Sequence, residues 1–146
     1  RIAGERDDLR AEADRLREIA TDNVEFRGFL SESEKRDLLA RARGFVFAAR
    51  NEDFGIVPVE ALASGTPVVG VRDGYTRYQI RDGENGLLYD RGSENLAAAL
   101  DRLCESGVEW DAAAIAAGAE QYGEAAFTDG MREAVTEARE RVRIDP

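Results

Sequence analysis

Two short apolar runs constrain the fold of this chain more than any other feature of its sequence. Residues 44–49 read GFVFAA and residues 67–71 read PVVGV, and neither run alternates apolar with polar side chains. Continuous runs of this length are typical of parallel strands that are buried on both faces. Helical patterns separate and flank the two runs. We therefore expect an α/β fold, a Rossmann-like parallel sheet with helices on both faces.

The remaining elements are predicted from apolar periodicity, helix caps and turn residues. Residues 1–4 are interpreted as the end of a strand whose beginning is missing. The other predicted elements are a helix over 5–20, a strand over 23–26, a helix capped by Ser31 with Glu34, a helix over 57–64, a turn over 81–86, a strand over 87–89, a helix from Ser93 to about Glu105, and C-terminal helices near 110–121 and 128–143, the last capped by Thr128. With 146 residues, the chain has room for one domain.

The amino-acid composition excludes several classes of function. Thirty acidic and twenty basic residues leave a net charge of −10, which repels nucleic acid and anionic membranes. We interpret this acidic surface as halophile-like, because concentrated salt screens the repulsion between carboxylates. The chain has no histidine, so it supplies neither a histidine base nor a histidine-ligated zinc.

The single cysteine, the hydropathy pattern and the late aromatic residues add further expectations. Cys104 has no partner for a disulfide framework and is interpreted as a small buried hydrophobe. No apolar run approaches the roughly 18 residues of a membrane span, and no signal peptide opens the chain, so we expect a cytoplasmic location. Trp110, Tyr122 and Phe127 are interpreted as packing residues rather than as a carbohydrate platform.

Ligands of parallel α/β sheets bind beyond the carboxyl ends of the strands. This rule directs attention to the three segments that follow predicted strands, residues 28–31, 49–57 and 72–77. The second segment is the most informative, because it joins a buried strand to a short helix. We therefore expect the functional site to be built around this strand–loop–helix connection.

Five residues of this connection have the chemistry of an anion and hydroxyl site. Glu52 lies just after the buried strand, and Gly55 allows a close approach of the backbone to a ligand because it has no Cβ. The amides of about Gly55 to Val57 open the helix, and free N–H groups at a helix N-terminus favour an anion such as a diphosphate. Glu60 is placed in the first turn, where the helix dipole stabilises a carboxylate that can accept hydrogen bonds from vicinal sugar hydroxyls.

Three motifs in this sequence resemble those of a known family. Glu52 and Glu60, separated by seven residues and followed by ALASGTPVV, resemble the E-x7-E region of family-four-type retaining glycosyltransferases. Residues 23–34 (NVEFRGFLSESE) and 81–90 (RDGENGLLYD) resemble two further motifs of that family, in the same order. The resemblance implies the donor-binding half of a GT-B fold over residues 1–146, with the acceptor domain and the first strand unit absent. On this basis the chain is expected to be a fragment of a longer protein.

The resemblance implies transfer of a hexose, with retention of the anomer, from a UDP- or GDP-linked sugar. Glu60 would bind the ribose hydroxyls, and Glu52 would contact the hexose and position it for transfer from the front face. The other donor-binding positions implied are the backbone of Phe54, Gly55, Ile56 and Val57 at the sugar and diphosphate, Gly28, Phe29 and Leu30 around the base with Lys35 nearby, and Gly74 in the loop after the second apolar strand. No metal or other cofactor is expected. The acceptor, a glycan or lipid-linked sugar, would bind through the missing domain, which would also account for any location at the inner membrane surface.

One segment departs from the family's pattern and leaves alternatives open. Many relatives have two glycines and then a glutamate after the strand that ends here at Val71. This chain has Gly74 followed by Tyr75, and Tyr78 replaces the glutamate, which affects donor identity more than family membership. Arg77 is interpreted as a partner in a surface ion pair. A non-catalytic Rossmann-like binding module is the alternative function, and a sugar-nucleotide epimerase is disfavoured because no histidine or evident acid/base pair is present.

Overall fold

The computed structural model describes residues 4–105 and 109–144 of the chain. These residues belong to two compact units, Arg1–Glu32 and Ser33–Pro146. The strand end predicted at residues 1–4 falls outside the described residues except for Gly4, where a helix already begins.

The first unit contains one helix, α1, over Gly4–Ile19. Its prediction from apolar spacing is confirmed, although Leu16 and Ile19 remain 40% and 64% exposed. Ion pairs one turn apart support the helix, as between Arg15 and Glu12 at 2.8 Å. Such exposed pairs contribute a few tenths of a kcal/mol each, roughly, so α1 depends on local helix propensity more than on burial.

The strand predicted over residues 23–26 is wrong. The amide of Val24 donates to the carbonyl of Thr21 at 2.9 Å in a turn, and residues 24–31 have no regular secondary structure. A strand is defined by hydrogen bonds to a neighbour, and none of the described residues pairs with this segment. Its apolar side chains are accordingly open to solvent, with Val24 50% and Phe26 44% exposed.

The second unit contains a three-stranded sheet and six of the seven α-helices that the described residues form. Helix α2 begins at the border of this unit. The elements are α2 (Glu32–Arg41), β1 (Phe45–Phe47), α3 (Ile56–Ala63), β2 (Val68–Val71), α4 (Thr76–Gln79), β3 (Gly86–Tyr89), α5 (Ser93–Cys104), α6 (Ala112–Ala119), a 3₁₀ turn (Glu120–Tyr122) and α7 (Glu124–Ile144).

The sheet is parallel, with strand order β1-β2-β3. Val69 of β2 lies opposite Val46 of β1 and Leu87 of β3, which fixes the register on both sides. All four residues of β2 are buried, as its continuous apolar sequence predicts. The strands therefore end together at one edge of the sheet, referred to below as the carboxyl edge.

Helices cover both faces of the sheet, as predicted. Because side chains alternate along a strand, Val68 faces one core cluster while Val69 and Val71 face the other. The first cluster includes side chains from α2, α3 and α6, and the second includes side chains from α5. Trp110 packs against both clusters, which confirms its interpretation as a packing residue. The architecture is the expected Rossmann-like α/β fold.

Several local predictions are wrong. Helix α7 begins at Glu124, four residues before Thr128, so Thr128 lies inside the helix rather than at its cap. Phe127 is 68% exposed on the same helix, where no described element covers it. Cys104, the last residue of α5, is exposed rather than buried. Helix α4 was not predicted at all.

Candidate functional site

Two loops cross each other at the carboxyl edge of the sheet. The loop after β1 contains Glu52, and the loop after β2 contains Gly74. The amide of Tyr75 donates to the carbonyl of Glu52 at 2.8 Å and ties the loops together. A Cβ at Gly74 would lie only 2.6 Å from that carbonyl oxygen. The crossing therefore requires glycine at position 74.

The Glu52 carboxylate turns back onto its own loop. Its Oε1 accepts a hydrogen bond of 3.0 Å from the amide of Gly55. Gly55 has φ +76°, a left-handed conformation that glycine adopts readily, and it is the residue from which α3 starts. The Gly55 amide is therefore already used by Glu52, which corrects its predicted availability to an anion. The amides of Ile56 and Val57 open the first turn of α3.

Gln79 of α4 supports this loop from beneath. Its side-chain amide donates to the carbonyl oxygens of Phe54 at 2.5 Å and of Gly55 at 3.2 Å. The residue is 2% exposed, and its Oε1 has no hydrogen-bond partner among the described residues. Gln79 was not predicted, because a lone glutamine in a four-residue helix carries no motif. The two hydrogen bonds from the Gln79 side chain hold the backbone of Phe54 and Gly55, which leads directly into α3.

Glu60 forms an ion pair with Lys35 of α2. The distance from Lys35 Nζ to Glu60 Oε1 is 2.7 Å. The side chain of Lys35 is 30% exposed and that of Glu60 is 32% exposed. Because α3 starts at Ile56, Glu60 is its fifth residue and lies in the second turn, which corrects the predicted first-turn position. Side chains in a helix lean toward its N-terminus, so the carboxylate still points back along α3. The structure thus brings together two residues that are 25 positions apart and were both predicted for the site.

Arg91 joins the ends of all three strands. This residue, too, was not predicted. Its Nη2 donates to Asp73 Oδ2 at 2.6 Å, in the loop after β2, and to the carbonyl of Ala49 at 3.0 Å, just beyond β1. Arg91 itself follows β3. The Arg91 guanidinium, followed by the backbone amide of Gly74, holds the pKa of the Asp73 carboxyl below its ordinary value. Arg91 therefore acts as a clamp between the loops that carry Glu52 and Gly74.

Aromatic side chains cluster beside Glu52. The rings of Phe54 and Tyr75 lie 5.4 Å apart between centroids, and those of Tyr75 and Tyr78 lie 5.6 Å apart. Tyr122 contacts Phe54 edge-on at 6.0 Å, which confirms its packing role, and burial raises the pKa of its hydroxyl. Arg77 lies over the ring of Tyr78, 4.7 Å from its centroid, rather than in the surface ion pair that was predicted.

The remaining predicted positions lie in the first unit. Gly28 and Phe29 are exposed there, Phe29 completely, and Leu30 is half-buried. All three belong to the segment without regular structure that precedes α2. Their role at the base stays a prediction.

Two general features of the described residues bear on the kind of site. They contain no group of three or more acidic, histidine or cysteine side chains arranged to hold a metal ion. None of the described helices is both long and apolar enough to cross a membrane. Loop backbone, two glutamates, the N-terminus of α3 and an aromatic cluster are the parts described above.

The fold and the loops at its carboxyl edge define the class of protein. It is a Rossmann-like α/β domain of the kind found in glycosyltransferases of GT-B architecture. Residues 1–121 match the family described as glycosyl transferases group 1, and the chain belongs to that family.

Curated relatives agree with this assignment. The chain is 38% identical over 98 residues to the lipopolysaccharide core biosynthesis glycosyltransferase LpsE of Rhizobium meliloti, a match that covers 63% of this chain and 28% of LpsE. It is 34% identical over 137 residues to the D-inositol 3-phosphate glycosyltransferase of Streptomyces bingchenggensis, covering 79% of this chain and 30% of the relative. The chain thus spans about a third or less of the length of these relatives.

Solved glycosyltransferase structures share the fold. HepE of Anabaena in complex with UDP superposes with a TM-score of 0.76 at 25% identity, covering 93% of this chain and 38% of HepE. Sucrose-phosphate synthase of Thermosynechococcus elongatus superposes with a TM-score of 0.74 at 24% identity, covering 90% of this chain and 34% of the synthase. The second likeness shows the fold alone.

Proposed function

We propose that this chain is the donor-binding part of a retaining glycosyltransferase. The enzyme transfers a hexose from a UDP- or GDP-linked sugar to an acceptor glycan or lipid-linked sugar. Because the chain spans only part of its relatives, the complete reaction belongs to a longer protein, and this chain by itself is inactive in transfer. The proposal concerns what the carboxyl edge of the sheet binds and how it binds it.

One observation carries the proposal: at the carboxyl edge of a parallel sheet, Glu52 precedes a helix that starts from a glycine, and Glu60 lies in the second turn of that helix. A diphosphate is stabilised by free amides at a helix N-terminus, here those of Ile56 and Val57. Glu60 reaches back toward that end and can accept hydrogen bonds from the two ribose hydroxyls. Lys35, paired with Glu60 at 2.7 Å, holds this carboxylate in place.

The same geometry gives Glu52 a role at the hexose. Its carboxylate is fixed by the Gly55 amide and its backbone by Tyr75, so it presents a preorganised acceptor at the sugar end of the donor. During transfer, the bond between the anomeric carbon and the diphosphate oxygen breaks as the acceptor hydroxyl oxygen bonds to the same face, and the hydroxyl proton passes to the departing diphosphate. Negative charge then develops on the departing diphosphate, where the α3 amides stabilise it.

Among the candidate donors, UDP sugars have the stronger support. HepE of Anabaena, to which this chain is 25% identical, was solved in complex with UDP. HepE was also solved in complex with UDP-glucose.

Two observations favour the alternative, a non-catalytic binding module. Tyr78 occupies the position where many relatives have a glutamate, and it is 63% exposed. The Gly55 amide is already used by Glu52.

The first test is a thermal-shift panel in concentrated KCl with UDP, GDP, ADP, UDP-glucose and GDP-mannose. A ligand that binds only the folded state adds about 2.7 kcal/mol at a hundredfold excess over its Kd. We expect a response to one nucleotide and its conjugate. Glu60→Ala should weaken that binding by about 1.5–3 kcal/mol, roughly tenfold or more, because charge-assisted hydrogen bonds are lost. Adding EDTA to the same titration tests the proposed independence of a metal ion.

Matched variants separate binding from stability. Glu94→Ala removes an exposed glutamate from the first turn of α5, another helix that follows a strand, and should leave nucleotide binding unchanged. The side chains of Lys35 and Glu60 are about one-third exposed, so breaking this ion pair should itself lower the free energy of unfolding by about 1 kcal/mol or less. A protein that melts cooperatively but responds to no nucleotide, or responds equally with Glu60→Ala, would contradict the donor site and support the non-catalytic module.

A further inference from the structure

We propose that the aromatic cluster beside Glu52 is a saccharide-binding subsite that receives a sugar ring of the acceptor. The subsite, called the aromatic cleft below, is lined by the rings of Tyr75 and Tyr78, and the ring of Phe54 packs against Tyr75 at its margin. Its lining is Asn51, Glu52, Asp53, Gly74, Tyr75, Arg77 and Tyr78, around a volume of about 350 Å³. The inference rests on the proposed function, since an acceptor subsite needs a donor beside it.

The three rings form a contiguous exposed surface that the core does not require. Phe54 is 42%, Tyr75 37% and Tyr78 63% exposed, and neighbouring centroids are only 5.4 and 5.6 Å apart. Exposed apolar residues scattered singly are ordinary, but a contiguous group at the binding edge of a sheet marks a contact surface. The rings are also held in position. Tyr122 supports Phe54 from one side, and Arg77 donates to the Tyr78 hydroxyl at 2.6 Å.

The polar groups around the rings match the chemistry of a sugar. One face of a pyranose ring exposes C–H groups that pack on an aromatic ring, while its rim carries hydroxyls that need hydrogen-bond partners. The carboxylates of Glu52 and Asp53 and the amide of Asn51 line the same cleft and supply acceptors and a donor. The cleft is open and combines aromatic rings with convergent polar groups, and its volume falls within the usual range of small-molecule sites.

The position of the cleft identifies which sugar it takes. Glu52 lines it, but its lining includes no residue of α3 and not Glu60. The cleft therefore lies next to the proposed hexose contact and away from the proposed ribose contact. A sugar bound there would sit beside the donor hexose, where an acceptor hydroxyl must be placed for transfer.

Two sources of sugar fit this chemistry, the acceptor and the hexose of the donor itself, and a competition experiment distinguishes them. Saturation-transfer NMR on the 146-residue chain uses maltose and α-1,2-mannobiose as probes, with and without saturating UDP or UDP-glucose. We expect transfer to at least one disaccharide, undiminished by either nucleotide. Displacement of the disaccharide by UDP-glucose but not by UDP would assign the cleft to the donor hexose and overturn the proposal.

Substitutions locate the binding. Tyr75→Ala and Tyr78→Ala should each weaken disaccharide binding by about fivefold, the order expected for loss of an aromatic contact, while Tyr78→Phe, which keeps the ring, should stay within about twofold of wild type. Phe127→Ala removes another exposed aromatic ring, from α7, and should have no effect. Equal binding by wild type and both alanine variants would overturn the proposal.

The donor site is monitored in the same samples, so the two proposals fail separately. Glu60→Ala should weaken UDP binding by roughly tenfold or more and leave disaccharide binding unchanged. A normal UDP response without any saturation transfer overturns the aromatic cleft alone. Disaccharide binding without any nucleotide response overturns the assignment to an acceptor together with the proposed function.

Discussion

At the scale of single residues, Gly74 decides whether the two site loops can cross. Its φ of +52° lies in the left-handed region, and an added Cβ would approach the backbone oxygen and nitrogen of Glu52 to 2.6 and 2.8 Å. Both contacts are with backbone, which moves only if the whole loop moves. The next position carries the full side chain of Tyr75, so the requirement for glycine applies to position 74.

Gly74→Ala is therefore expected to cost more than conformational strain. The left-handed backbone alone costs a non-glycine residue about 1–2 kcal/mol, and the contact with Glu52 should add to that loss. Because the contact displaces the loop that carries the Glu52 carboxylate, binding of UDP-glucose should weaken as well. Urea denaturation measures the stability, and calorimetric titration with UDP-glucose measures the binding.

Gly83→Ala is the matched control, since Gly83 has φ +84° but no atom within 4 Å of an added Cβ. Gly83→Ala should lose only the stability that a left-handed backbone costs a non-glycine residue, and it should leave binding of the nucleotide sugar unchanged. Equal losses of stability in the two variants, with binding intact in both, would contradict the role assigned to Gly74.

At the scale of elements, the clamp formed by Arg91 should make the stability of the sheet edge depend on pH. In the folded chain, the Arg91 guanidinium and the Gly74 amide lower the pKa of Asp73 below its ordinary value of 3.8. A depressed carboxyl pKa stabilises the fold above the unfolded pKa, and this contribution disappears as the pH falls through the folded pKa. Asp73→Asn should therefore lower the Tm at pH 7, and the difference from wild type should shrink below about pH 4.

A double-mutant cycle checks the cause of this pH dependence. In an Arg91→Ala background the guanidinium that hydrogen-bonds to Asp73 is gone, so Asp73→Asn should have a smaller effect at pH 7 and less dependence on pH. Undiminished effects in that background would assign the stabilisation to other contacts of the loop.

Elements with a continuous or periodic pattern were predictable from the sequence, and elements defined by tertiary partners were not. Strand β2 and helix α3 follow from apolar runs and helix stop signals, and the structure places them within a residue or two of the prediction. Residues 23–26 have an equally strand-like composition but no described neighbour with which to pair. Helix α4 is four residues long and depends on Thr76 and Gln79, two buried polar side chains that interrupt any apolar pattern.

The same distinction holds for the site. Glu52, Gly55 and Glu60 were predictable because they share one short segment with a recognisable order. Gln79 and Arg91 were not, because each acts on backbone carbonyls 24 to 43 residues away and has no local signature. A backbone carbonyl is available at every position of a chain, so the sequence alone does not indicate which of them such a side chain will meet.

At the scale of the whole molecule, the excess of acidic residues sets the conditions under which the chain is stable. A net charge of −10 destabilises a compact chain through self-repulsion. The ion pairs do not offset it, because most of them involve side chains that are more than half exposed, and such pairs contribute about 0–1 kcal/mol. In dilute buffer, the apolar burial around the small sheet therefore has to outweigh the repulsion between the charges on the surface.

Rising KCl should accordingly raise the Tm, and the shape of the curve identifies the cause. Screening shortens the range of the repulsion from about 10 Å at 0.1 M to about 3 Å at 1 M salt, so its effect should level off near 1 M. A gain of about 1–2 kcal/mol corresponds to roughly 2–8 °C for a domain of this size.

Glu133→Gln with Glu140→Gln, both on the exposed surface of α7, should raise the Tm in dilute buffer and reduce the further gain from KCl. A Tm that is equal in dilute buffer and in 2 M KCl would show that repulsion does not limit this fold. A Tm that keeps rising linearly beyond 1 M would instead indicate exclusion of the salt from the protein surface.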